Sequence, residues 1–146
     1  MVKTKIKYSW IYNKQFNPGY SREDLLKLKN KCENFESLYD KKIERLLELI
    51  EKYSKKWSKN FIPIYIVENN KSFSDPLTLK FWDNERIMII ILAHELLHNN
   101  IGKKFSNPDE LHKYMKPILR KIIEELDEDL MRDLDIEGIP ALKRII

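Results

Sequence analysis

The run from Ile87 to Leu97, IMIIILAHELL, constrains this chain more than any other stretch. Its only polar side chains are those of His94 and Glu95. A helix that is apolar on nearly all sides must be buried on nearly all sides, so the rest of the chain has to supply layers around it. The same run leads into His94-Glu95-Leu96-Leu97-His98. Residues four apart on a helix share a face, with Cβ atoms about 5–6 Å apart. Both imidazoles can therefore point at one metal ion. Glu95 stands roughly 100° round from His94, beside that face, where it can take a proton from a water molecule. Two imidazoles and a carboxylate are costly to bury unless they are paired or bind a metal. Two core histidines beside a stray glutamate are the plainer alternative.

The remainder of the chain is expected to form one domain around this helix. Its 146 residues are enough for a real core. The net charge is +4, from 27 basic and 23 acidic residues mixed along the sequence. That pattern reads as a solvated surface, with no nucleic-acid face expected. Cys32 is the single cysteine, so no intrachain disulfide forms, and a reducing, cytoplasmic location is the expectation. The N-terminal residues MVKTKIKYSW lack the apolar core of a signal peptide. No stretch reaches the ~18–20 apolar residues of a membrane span.

Alternation over Lys3 to Tyr12 predicts a strand, and Asn17-Pro18-Gly19 a turn. Ser21 and Asp24 form a capping-box pattern that opens a helix. Apolar residues at three-to-four spacing then run from Leu25 to Trp57: one long amphipathic helix, or two with a break near Ser37. Phe61 to Val67 and Leu77 to Trp82 read as the second and third strands. Strand, helix, strand implies a parallel crossover; the third strand is expected to add antiparallel. Pro63 places its strand at an edge or starts it one residue later. Asp83 or Asn84 caps the motif helix, which ends at Gly102. Asn107-Pro108 opens the last long helix, in which Pro117 makes a kink or a break. Gly138-Ile139-Pro140 closes the helical pattern and leaves an apolar, basic tail, Ala141 to Ile146.

A catalytic zinc usually has three protein ligands and one open position. The pattern HExxHxxGxxH is excluded, because Ile101 and Lys104 stand where its glycine and third histidine would be. Two candidates for the third ligand remain. His112 is the only other histidine and lies on the apolar face of the last helix, which should return antiparallel to the motif helix. Glu125 opens an ExxxD pair with Asp129. A straight helix separates the two candidates by about 20 Å, so both serve one metal only if the chain breaks at Pro117. The plain readings are a core histidine and a solvated acidic face. Tyr114 is a weak candidate for a second electrophile.

HELLH on a buried helix is the HExxH pattern of zinc metallopeptidases. Set behind a small sheet and a long backing helix in a short chain, it resembles the minigluzincins, small relatives of the catalytic domains of membrane-bound gluzincins. SprT-like proteases are a more distant likeness. The resemblance implies an α/β (α+β), zincin-like domain over residues 1–146, with a small mixed sheet of about three strands and a buried active-site helix. It implies zinc held by His94, His98 and a third histidine, which favours His112 over Glu125, with Glu95 as general base. It also implies peptide-bond hydrolysis. The strand Leu77 to Trp82 is expected to pair with an extended substrate by strand addition. The C-terminal segment, 137–146, is expected to fill a groove against the first long helix or, as the resemblance implies, to enter the cleft or a neighbouring molecule. The competing expectation is a catalytically silent zinc-binding structural or interaction module of the same fold. Four protein ligands would mark that module, and three would mark the enzyme.

Overall fold

A computed structural model describes residues 1–102 and 105–137, of which 133–137 are described as backbone only. The elements run β1 (Lys3–Lys7), α1 (Trp10–Phe16), α2 (Arg22–Lys31), α3 (Glu33–Tyr53), β2 (Phe61–Val67), β3 (Phe73–Ser74), β4 (Leu77–Lys80), α4 (Glu85–Ile101), α5 (Pro108–Leu126) and α6 (Glu128–Glu137). Readings for Gly138 to Ile146 fall outside these residues.

The four strands form one mixed sheet in the order β1-β2-β4-β3. β1 and β2 pair in parallel, as their separation by helices requires. β4 is also parallel to β2, which corrects the antiparallel expectation. The antiparallel partner is β3, an element that the sequence reading left inside a loop. The chain leaves β2, lays down β3 at the edge, turns at Asp75-Pro76 and returns as β4 between them. Pro63 lies inside β2, an interior strand of the sheet. β1 pairs with Phe61 to Tyr65, whereas β4 pairs only from Tyr65 onward. At Pro63 the strand therefore has a neighbour on one side only, and proline removes no hydrogen bond from a two-sided ladder.

Strand β1 stops at Lys7, short of the predicted Tyr12. Ser9 caps a helix instead, its hydroxyl accepting from the Tyr12 amide. α1 is held against the end of β2 by Asn13. This buried side chain donates to the carbonyls of Ser9 and Ile66 and accepts from the Glu68 amide. Ser21 and Asp24 form the predicted capping box on α2. The long apolar stripe is divided at Cys32, not near Ser37, and its helical part stops at Tyr53, before Trp57.

Asn84 caps α4, accepting from the amides of Arg86 and Ile87. Every residue from Ile87 to Leu97 is buried. α4 packs on β3 and β4, on α3 and on α5, which are the covering layers its composition demands. Complete burial of one such aliphatic side chain is worth roughly 1.5–3 kcal/mol, so this helix anchors the core. It ends at Gly102, whose amide donates to the His98 carbonyl and whose backbone lies at φ +68°, ψ −150°. α5 then starts at Pro108 behind its cap Asn107 and runs through Pro117 without a break. The interruption comes at Asp127, whose carboxylate accepts from the Asp129 amide to start α6.

Candidate metal centre

The first turns of α5 lie against the last turns of α4. His112 thereby meets His94 and His98, and one possible ligand atom from each lies within 4.8 Å of the others. The His98 and His112 Nε2 atoms are 3.1 Å apart. The three ring centroids are separated by 4.5, 5.1 and 5.6 Å. Among the described residues no fourth ligand joins this group.

The donor set suits a metal. Two nitrogens each 2.0–2.1 Å from a tetrahedral zinc would lie about 3.3 Å apart, close to the His98–His112 separation. Two imidazole nitrogens that close repel through their lone pairs unless a proton or a cation lies between them. Burial, with the other two histidines as lesser causes, pushes His94 down to about 3. Burial and His112 push His98 down to about 4. Both rings are therefore neutral near pH 7, the form in which imidazole coordinates a metal. Among the described residues His94 Nδ1 is buried with no hydrogen-bond partner, a cost that fits a ring placed for a ligand other than protein. Imidazole alone does not single out zinc, since it also suits copper, iron and nickel.

Glu95 is 7% exposed, and its Oε1 lies 3.7 Å from His94 Nε2. Burial raises its carboxyl to about 7, which is the range a general base or acid working near neutrality needs. Glu95 and the three histidines line a cleft of about 770 Å³, walled on one side by Phe73 and Ser74 of β3 and on the other by α5.

Glu125 does not join them. It sits at the far end of α5, exposed, accepting from Lys52 and from the Tyr53 hydroxyl, with Arg45 nearby. Its carboxyl lies below the usual carboxylate range, chiefly through the Tyr53 hydrogen bond. Tyr114 is exposed, packs on Phe105 and does not line the cleft. β4 pairs with β2 over Thr78 to Lys80 and with β3 at Leu77 and Thr78, so the outer strand beside the cleft is β3, outside the expected Leu77 to Trp82.

Asn99 and Asn100, polar residues just after the second histidine, have a bracing role that the sequence alone does not specify. Asn99 donates to the Ser74 carbonyl and accepts from Lys59. Asn100, buried, donates to the Ser54 hydroxyl and the Lys55 carbonyl. The polar pair after the second histidine thus ties the site helix to the edge strand and to the end of α3. Two adjacent amides following an apolar run were the available signal. No helix among the described residues is long and apolar enough to cross a membrane. No protein-family model, curated protein or solved structure matches this chain.

Proposed function

We propose that this protein is a zinc-dependent metallopeptidase of zincin-like fold. The observation that carries the reading is the convergence of three imidazoles, with no fourth ligand among the described residues, beside a buried carboxylate on a cleft wall. Three protein ligands and an open position belong to a catalytic site, whereas four belong to a structural one. Zinc, when bound, polarises the scissile carbonyl and lowers the pKa of a water to about 7.

The chain's own residues supply the rest. His94, His98 and His112 hold and orient the ion. Glu95 accepts the proton from the attacking water and returns it to the leaving amine. Burial raises this carboxyl in the metal-free protein, which favours the protonated form that returns the proton. The two-residue strand β3, held through its Ser74 carbonyl by Asn99, forms the cleft wall along which an extended peptide would lie. The Phe16 ring packs edge-on against Phe73, further supporting this wall.

Glu95→Gln tests the reading. The variant should retain zinc by metal analysis and lose roughly 10²–10⁴-fold in turnover on a denatured protein substrate. Undiminished turnover would end the mechanism. Wild-type protein that binds zinc stoichiometrically and cleaves no peptide would instead be the silent binding module.

A further inference from the structure

The cleft carries charges that the hydrolytic chemistry does not use. Lys113 and Lys116 line it from α5, Lys116 one helical turn beyond His112. Lys71 lines it from the opposite wall, just before β3. Elsewhere the basic residues are often matched: Lys31 with Glu68, Lys42 with Asp127, Lys52 with Glu125. None of the three cleft lysines forms an ion pair with a described carboxylate. Among the described residues only two carboxylates share the lining, the buried Glu95 and the exposed Asp109, which stands one turn before Lys113. Asp109 can offset one ammonium group, not three.

A concavity lined by charges of one sign concentrates counter-ions of the other. With a chain total of only +4 from 27 basic and 23 acidic residues, composition does not force three unmatched lysines into one cleft. Lysine is a mobile point charge, suited to carboxylates at varied positions and unlike the fixed fork of arginine. A nucleic acid is the poorer fit. A single-strand groove needs successive rings for bases to stack on, and beside the three clustered histidines the described lining presents one, Phe73, already packed against Phe16. The rings that do lie beside cations, such as Trp10 with Lys14 and Arg22, do not line the cleft.

We propose that Lys71, Lys113 and Lys116 make the cleft selective for peptides whose aspartate or glutamate side chains flank the bond lying over the three histidines. The proposal rests on the peptidase reading for its substrate class, but its test does not require turnover. Full-length, zinc-loaded Glu95→Gln protein would be titrated into fluorescein-labelled, C-terminally amidated decapeptides, one rich in glutamate and one with glutamine in its place. The glutamine peptide with a free C-terminus and an oligothymidylate of equal length complete the set.

The glutamate peptide should bind about tenfold more tightly at low salt, as expected from two or three partly screened ion pairs. The advantage should shrink as salt is added and disappear in K71Q/K113Q/K116Q. K71Q and K116Q singly should each remove part of it, which keeps the test decisive if the triple variant is unstable. Equal binding of the two amidated peptides would overturn the proposal. So would an advantage that survives the triple substitution, since the carboxylate would then be sitting on the metal. Tighter binding of the oligothymidylate, or a gain from the free C-terminus alone, would overturn it too. Turnover by the wild type is read separately. Cleavage without acidic preference removes this proposal alone, and acidic preference without cleavage removes the peptidase reading alone.

Discussion

The two ends of α5 carry the two residues that could complete a three-ligand site, and they sit in different surroundings. His112, near its start, meets two imidazoles in the lining of the cleft. Glu125, near its end, is exposed among Lys52, Tyr53 and Arg45 of α3. Both lie on or beside the same apolar face, so helical periodicity does not choose between them. Direction chooses: α5 starts beside the end of α4 and runs away from the site toward α3. A carboxylate 13 residues further along an unbroken helix, 125 − 112, cannot come back. Glu125 has become a fastening between helices. In water-exposed surroundings such ion pairs contribute little to stability.

The sharpest way to break this contrast is to remove one end at a time. His112→Ala should lower zinc affinity by more than about 100-fold, since losing only a partner that orients a ligand typically costs ~10–100-fold. Competition with a chromophoric chelator measures it. An unchanged affinity would return the third position to another residue.

The second effect is a pH profile without metal. His94 and His98 are held at about 3 and about 4, below their ordinary 6.5. Between 6.5 and those values the unfolded chain takes up protons that the folded protein refuses, so stability falls as pH drops through this window. Glu95 acts in the opposite sense. Raised from 4.5 to about 7, it keeps a proton on folding that the unfolded chain has lost, so its contribution is full below 4.5 and is lost as pH rises through 7. Metal-free Glu95→Gln should therefore melt above the metal-free wild type at pH 8. Its melting temperature should also rise steadily from pH 4 to pH 7. A wild-type profile that matches the variant's would mean that Glu95 is not buried as described.

The smallest effect belongs to the other end. Glu125→Ala should leave zinc affinity within about twofold of wild type and lower the melting temperature only slightly, as exposed pairs do. Because its carboxyl is depressed, its contribution is present above 4.5 and is lost as pH falls through its lower folded value. The variant's melting curve should therefore differ from wild type near neutrality and converge with it in acid.

The buried helix, its asparagine cap, its glycine end and the capping box on α2 were legible, because each is fixed by residues within one or two turns. The pairing of His112 with HELLH was legible as a choice between two residues and no further, since the return path of α5 is a tertiary fact. Other features were hidden for specific reasons. The alternation of Tyr8, Trp10 and Tyr12 continues the strand pattern of Lys3 to Lys7, while the Ser9 cap that ends it is a single hydroxyl. The apolar spacing runs unbroken through Cys32, so a change of helix direction there leaves no mark. β3 is two residues long, too short for a period, and without it the orientation of β4 could not be inferred. The lysines around the cleft come from a loop and a helix with no common sequence signal.

Gly102 gives the site a weakness that lies in no ligand. Its φ of +68° and ψ of −150° fall in a region essentially reserved for glycine. Among the described residues no atom beyond its chain neighbours stands within 4 Å of where a β-carbon would be, so the obstacle to substitution is torsional. A replacement would preserve every letter of HELLH while redirecting the chain that delivers His112. Substitution of Gly102 should therefore weaken metal binding with the motif intact, at a position that screening for ligand residues would pass over.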